Sequence, residues 1–556
     1  MKKQTNLVAT NNEPGLKRIT KHLAIVFVFL VTIIPLSYSQ SCLKWNIDIG
    51  GNNITDSVGS TISVISVPDG FLACGTAIAG DNKFNIPAGH GNDAFIVKYN
   101  SSGNLIWKHS YGGSGSDRFS RIIATQDGGF IAAGHSFSND GDVSGNHGSR
   151  DAWIVKTDAA GNLQWQKCFG GSRDDYALVI IADPSGYTFS GAESSRDGEL
   201  VKNFGDYDAW VVKISFTGNV IWQSTYGGSR FDEAGGLSRN NDGTYIFAGA
   251  TTSNNQQVGN MHGGSYDTWV VKINSTGNII WKKVYGGSGV DYCNGMTRTT
   301  DGNLVLTHGS NSTDGDVNGT GSFVTWLLKL NSQSGDMIWS KTFSINGNDC
   351  ASFGIFSTTD GGVVSLGVNG PAGDPSKADA LILAIDANGN KKWHKLLSGS
   401  NKDVAFSGTE ISGGNLIILS SSFSVDGDFA GGSGSSADIW ITRFHNCNDN
   451  SFTKAVPVNT SINESVLYKL TNYPNPFSHS VIITYSIPQN TKVSLKIYDV
   501  MGKQVKILVN TKVGAGIYNI QWNVNDEKGQ AVPAGVYFLR MEAGDYLETK
   551  KLSVIK

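Results

Sequence analysis

Acidic pairs recur in the long polar segments of this 556-residue chain: Asp140 with Asp142, Asp197 with Glu199, Asp314 with Asp316, and Asp426 with Asp428. An Asp-Gly-Asp spacing can present two carboxylates to one hard cation, which makes these residues calcium candidates. None of the segments continues to a third acidic ligand and a closing bidentate glutamate. The alternative is therefore that Asp and Gly simply shape exposed turns. His90, His147 and His262 recur a few residues before a repeated aspartate-led apolar run and read as echoes of one repeat. The chain holds no Gly-x-Ser-x-Gly elbow, no His-Glu-x-x-His pair and no phosphate-binding glycine loop. No carboxylate pair departs from the repeat as a glycosidase pair would have to. No catalytic residue is assigned, and the chain reads as a binding protein that needs no cofactor unless calcium fills those loops.

The elements that position these residues repeat seven times. Trp45, Trp107, Trp165, Trp222, Trp281, Trp339 and Trp393 occupy one place in the unit. Trp153, Trp210, Trp269, Trp326 and Trp440 occupy a second, with Phe95 and Leu381 standing there in the remaining units. Self-similarity at such a period marks a repeat architecture. In one unit, a tryptophan strand (104–110) leads through Gly112-Gly113-Ser114 to a second strand (120–125). A turn at Asp127-Gly128-Gly129 reaches a third (130–134), and a long polar loop (138–150) reaches a fourth (151–157). Short β-rich runs bounded by Gly, Asp, Asn and Ser predict antiparallel strands. Four strands in each of seven units predict a seven-bladed β-propeller over residues 40–448. Its tryptophans should pack blade against blade.

Tight links join hairpin partners, so the Asp158-to-Asn162 turn and the Asp127-Gly128-Gly129 turn should lie within blades. The longest link is then expected to cross between blades, placing the Asp-Ala-Trp strand innermost. The repeats begin on a tryptophan strand and end on Asp438 to Phe444, so the last strand is expected to complete the first blade. Cys42 and Cys447 fall where that blade would otherwise have its tight turn, which predicts a disulfide between them. Cys74, Cys168, Cys293 and Cys350 read as buried small apolar residues. Alternation of direction puts the Gly-Gly-Ser segments and the long loops on one face, where a ligand site belongs. No loop stands out from its copies.

Charged residues make up only 16% of the chain and the formal net charge is −3, which removes the electrostatic case for nucleic acid or anionic lipid. Lys17, Arg18 and Lys21 precede an apolar run, Leu23 to Leu36, and the small residues Ser37 and Ser39. That order predicts an export signal over residues 1–39, removed to leave no transmembrane segment.

Composition changes after Cys447. Residues 449–470 are polar and aperiodic, as in a linker. Residues 471–556 show alternating strands and turns at Gly502, Gly529 and Gly544, predicting a small Ig-like β-sandwich. Tyr473-Pro474-Asn475-Pro476-Phe477 opens this segment. The stretch ending at Gly502, the Gly516-to-Trp522 run, Pro533-Ala534-Gly535 and the closing Lys550-Lys551 run follow in order. In these motifs the segment resembles the type IX secretion C-terminal sorting domain of Bacteroidetes-type bacteria. The resemblance implies periplasmic export, recognition by an outer-membrane translocon, and removal by a sortase-like peptidase that anchors or releases the cargo.

The expectation is an all-β, secreted or surface-displayed propeller that binds a glycan or protein on its long-loop face. A secreted polysaccharide-degrading enzyme and a purely structural or adhesive protein are the alternatives.

Overall fold

The structure, a computed structural model, describes residues 43–48, 63–78, 84, 86, 91–198, 202–371, 374–411, 413–430, 438–444, 469–473, 475–478, 480–487, 489–514, 516–544 and 546–555. The chain divides into two compact units, Met1–Pro457 and Val458–Lys556. The leader residues 1–39, Cys42, Cys447, His90 and Glu199 lie outside the described residues, as does the proposed linker up to residue 468.

Among the described residues, the first unit holds seven four-stranded antiparallel sheets. Blades 1 to 6 span residues 63–111, 117–169, 175–226, 236–285, 291–343 and 349–397, and blade 7 spans 403–444 joined by Leu43–Asp48. The first strand of each blade lies against the first strand of the next. Ser63–Val67 of blade 1 lies against Asp403–Ile411 of blade 7, so the ring closes. This is a seven-bladed propeller.

The crossing point differs from the sequence expectation. Phe130–Ser136 and Asp151–Thr157, the strands on either side of the long loop, pair along their whole length. The chain instead changes blades at the Gly-Gly-Ser segment. Loop length misled here because the long loop folds back over its own hairpin. The crossing is short because two glycines let its backbone approach buried aspartates closely. The strand nearest the axis is therefore the one that follows Gly-Gly-Ser, and the Asp-Ala-Trp strand is third. Ring closure is also reversed in sense: Leu43–Asp48 pairs with Asp438–Phe444 and completes the last blade.

Being third explains the continuous apolar run of that strand, since both of its faces meet neighbouring sheets. Trp153, Trp210, Trp269 and Trp326 are wholly buried. Each fills the gap to the preceding blade; Trp210, for example, packs with Ile131, Ala133 and Ile154. Phe95 plays this part where the ring closes, against Ile417, Leu419 and Ile441 of blade 7. The outer-strand tryptophans act differently. Gly161 has a φ of +85°, and a Cβ there would stand 2.8 Å from the Trp107 ring. The Asp158-to-Asn162 turn thus sits on the previous blade's indole, while Tyr111 donates its hydroxyl to the Gly161 carbonyl at 2.5 Å. Gly277 with Trp222 and Tyr226, and Gly335 with Trp281 and Tyr285, repeat the latch.

The second unit is a β-sandwich. One sheet pairs Lys469–Tyr473, Val481–Ile487 and Gly516–Trp522. The other orders Gln504–Val513, Thr491–Asp499, Gly535–Ala543 and Tyr546–Val554. Alternate residues of the two sheets, among them Val481, Ile483, Leu495, Ile497, Leu539 and Met541, share one core with Trp522.

Candidate ligand-binding rim

Five of the crossing segments, those into blades 2 to 5 and blade 7, are each tied down by one buried aspartate near the start of the strand they enter. Asp117 accepts hydrogen bonds from the Gly113 amide (2.8 Å), the Ser136 hydroxyl and the Ser138 hydroxyl (2.8 Å). Asp232, Asp291 and Asp403 take equivalent donors in their blades. A second buried aspartate opens the third strand in five blades, as Asp151, Asp208 and Asp267 do; blade 5 opens on Val324 and blade 6 on the half-buried Asp379. The second aspartate faces the next blade's anchor across the glycines: a Cβ on Gly286 would meet Asp267 Oδ1 at 2.4 Å and Asp291 Oδ2 at 2.9 Å. Burial, more than like-charge repulsion, pushes Asp208 up to about 7 and Asp267 up to about 6. Blade 3 carries Glu193 where other blades carry Ser136 or Thr251. Burial and the nearby Asp208 push it up to about 8.

The calcium candidates lie on these same crossings. Asp140 Oδ1 accepts from the Ser114 amide at 2.7 Å, and Asp142 Oδ2 from the Gly112 amide at 3.3 Å. Asp314 and Asp316 hold Ser288 and Gly286, and Asp426 and Asp428 hold Ser400 and Ser398, in the same way. In blade 4 the neutral Asn255 and Gln257 do this work on Ser229 and Gly227. Acceptance of an amide hydrogen, rather than charge, is thus what the position needs. Among the described residues no group of three or more His, Cys, Asp or Glu side chains is placed to hold a metal. His147 and His262 serve their blades: the His147 amide and Nδ1 meet Asp151 Oδ2 at 2.9 and 2.6 Å, and the His262 amide meets Asp267 at 2.6 Å.

Residues flanking the anchoring aspartates break the repeat. Just before the third strand stand Asn92, Arg150, Tyr207, Tyr266, Phe323 and Ala378, each passing its carbonyl to an amide of the next blade's first strand. In blades 3 to 5 the neighbouring positions carry Tyr176, Phe231, Glu233 and Tyr292. Their rings form one unbroken series. Centroids lie 6.0 Å apart from Tyr176 to Tyr207, 5.9 Å to Phe231, 6.2 Å to Tyr266 and 5.3 Å to Tyr292. All five are half-buried. Tyr207 and Phe231, and Tyr266 and Val290, meet as parallel bridges, which tie the backbone at each tyrosine to the next blade.

Polar groups set the ends of this arc. Tyr176 donates to Glu233 Oε2 at 3.2 Å, and Tyr292 donates to Oε1. Burial raises the Glu233 carboxyl, and the two hydroxyls partly offset that rise. At the Tyr176 end the Arg150 guanidinium lies 4.5 Å over the Tyr176 ring and 3.5 Å from Asp174, which also accepts from Tyr207 at 3.3 Å. Sequence reasoning passed over this arc because it sought outliers within the loops, whereas these residues sit at strand starts beside the repeated aspartates. The signal available was the tyrosine in Asp175-Tyr176, Tyr207-Asp208, Tyr266-Asp267 and Asp291-Tyr292.

In the second unit the opening motif binds the closing strand. Tyr473 ends the strand Lys469–Tyr473, and Pro474 lies outside the described residues. Across a cis Asn475–Pro476 bond, Asn475 accepts from the Ser553 amide (2.8 Å) and donates to the Lys551 carbonyl (2.7 Å). Phe477 is buried against Trp522, with ring centroids 5.9 Å apart, and its backbone exchanges hydrogen bonds with Ser553 and Ile555. Gly502 turns the Thr491–Asp499 hairpin at a φ of +77°, Gly535 starts the strand Gly535–Ala543, and Lys550 pairs with Glu548 at 2.7 Å.

Comparison with known proteins identifies the second unit. Residues 471–556 match the family model described as a secretion system C-terminal sorting domain. A curated relative, the regulatory protein FlaEY of Caulobacter vibrioides, is 24% identical over 189 residues, covering 31% of this chain and 20% of that protein. Among solved structures, PorZ of Porphyromonas gingivalis, described as an essential surface component of the type-IX secretion system, is 11% identical with a TM-score of 0.35. The match covers 84% of this chain and 63% of PorZ. A mutant of puromycin hydrolase is 12% identical with a TM-score of 0.43, covering 80% of this chain and 61% of its own. The chain thus spans a fifth of the curated relative and less than two thirds of either structure. Among the described residues no helix is long and apolar enough to cross a membrane. Residues 471–556 are therefore a type IX secretion C-terminal sorting domain, and the propeller is the cargo it directs to the cell surface or beyond.

Proposed function

We propose that the protein is a non-catalytic binding propeller that holds a saccharide on its long-loop face, using the aromatic arc from Tyr176 to Tyr292. The observation that carries this reading is the arc itself. Five adjacent half-buried rings in three successive blades replace residues that the repeat leaves unrelated elsewhere. Aromatic faces stack on the C–H faces of sugar rings, and hydroxyls at their edges supply the polar contacts that orient a ligand. Glu233 accepts from two of those tyrosines, which suits a part in holding the rings still.

Delivery follows from the second unit. In this proposal residues 1–39 lead the chain to the periplasm, the translocon takes up residues 471–556, and a sortase-like peptidase cuts within 449–470 to anchor or release the propeller.

Screening the full-length chain on a glycan array, beside its Tyr207→Ala and Tyr266→Ala variants, tests the binding reading. Saccharide binding that both variants weaken by about tenfold or more supports it. Binding indifferent to both variants, or turnover of the bound glycan, contradicts it.

A further inference from the structure

Five of the nine arginines between residues 43 and 444 fall on the long-loop face of blades 2 to 4: Arg118, Arg150, Arg173, Arg196 and Arg230. Two follow a Gly-Gly-Ser crossing directly, where other blades place Gly115, Gly289 or Asn401. Arg150 lies over Tyr176. Arg118 and Arg150 together hold down the protonation of His135, after burial, which is its main cause. Arg173 acts on Asp197, and Arg196 on Asp208. Arg173, Arg196 and Arg230 are exposed, and Arg230 precedes the arc residue Phe231.

Asp174, Asp197, Glu233 and the exposed Asp206 answer part of this charge, and the first three are already held by hydrogen bonds. Asp174 accepts from Ser149 and Tyr207, and Asp197 from the Ser172 amide. Five of the nine propeller arginines thus lie on the face that carries the aromatic surface, in a chain of net charge −3. Guanidinium is the side chain suited to planar or tetrahedral oxyanions, through paired N–H donors.

Resting on the saccharide reading above, we infer that the ligand is an anionic polysaccharide, its sugar rings on the Tyr176–Tyr292 arc and its carboxylate or sulfate groups on Arg150, Arg173 and Arg230. Carboxylate and sulfate esters share the chemistry the arginines recognise, so the test separates them.

Full-length protein is titrated with polygalacturonate, dextran sulfate and neutral dextran, and with poly-glutamate as a non-saccharide anion. The expected result is binding of at least one charged polysaccharide, with dextran and poly-glutamate weaker by about tenfold or more. The Arg173→Gln/Arg230→Gln double variant should weaken the charged glycan by about tenfold. Lys391→Gln/Lys392→Gln, the same charge change on the outer strand of blade 6, should leave it unchanged, and thermal melts confirm that each variant folds. Preference for polygalacturonate assigns carboxylate, and preference for dextran sulfate assigns sulfate. Neutral dextran bound as tightly, with dependence on Tyr207, overturns this inference and leaves the saccharide reading standing. Equal binding of poly-glutamate, or equal loss in both double variants, overturns it as unspecific charge. Failure of every glycan overturns both.

Discussion

Gly112 and Asp142 hold each other twice: the Gly112 amide donates to the Asp142 carboxylate at 3.3 Å, and the Gly112 carbonyl accepts from the Asp142 amide at 2.9 Å. Gly286 with Asp316 and Ser398 with Asp428 repeat the exchange, and Gly227 makes it with the uncharged Gln257. A melt in chelator and a melt in millimolar calcium should therefore coincide. Asp142→Asn should keep most of the wild-type melting temperature, and Asp142→Ala should lower it. A calcium-dependent rise that Asp142→Asn abolishes would restore the cation reading.

The buried anchors should matter more than the surface clamps. Asp117→Ala leaves the Gly113 amide and two serine hydroxyls without their acceptor, in a site closed to water. The expected cost is about 3 kcal/mol, read by denaturant unfolding, and Asp117→Asn should recover part of it.

Blade packing gives a graded series. Trp153→Ala empties a fully buried site and should cost about 3–5 kcal/mol. Trp107→Ala, on a half-buried outer strand, should cost less. Gly161→Ala brings a methyl against the Trp107 ring at a positive φ and should cost about 1–2 kcal/mol. Equal losses at Trp153 and Trp107 would contradict the radial order of strands.

Stability should fall as pH rises through neutrality. Burial raises Asp208 and Asp403 to about 7 from an ordinary 3.8, so the folded state binds protons that the unfolded chain has released. The contribution is complete below about pH 4 and is lost as pH passes through 7. Melting temperature should therefore be higher at pH 5 than at pH 8. Asp208→Asn should shrink the difference, and a profile unchanged by that variant would refute the assignment.

Phe477 joins the first motif of the sorting domain to its last strand. Phe477→Ala should destabilise that unit by about 3–5 kcal/mol and reduce surface delivery. Deletion of residues 471–556 should leave the propeller in the periplasm. Undiminished display of the deleted form would contradict the assignment.

The number of blades and the hairpins closed by tight turns were legible in the sequence because each tryptophan column reports one recurring environment. A side chain that must fill the same gap seven times leaves a period that no loop can hide. The point of crossing was not legible. Link length is a property of the chain, whereas the approach permitted by Gly112 depends on buried Asp117 and Asp93, which only the folded ring brings to it. The arc was missed for a related reason. Tyr176 and Tyr292 are far apart in sequence, and what unites them is a shared hydrogen-bond acceptor, Glu233, on the blade between.

Hydrogen exchange of the full-length protein, with and without the polysaccharide that it binds, tests the central claim most directly. The account predicts added protection at the start of the first and third strands in blades 3 to 5, around Tyr176, Tyr207, Phe231, Tyr266 and Tyr292. Protection confined to the opposite face, at turns such as Asp127-Gly128-Gly129 and Asp158 to Asn162, or no change at the arc under saturating ligand, would contradict it.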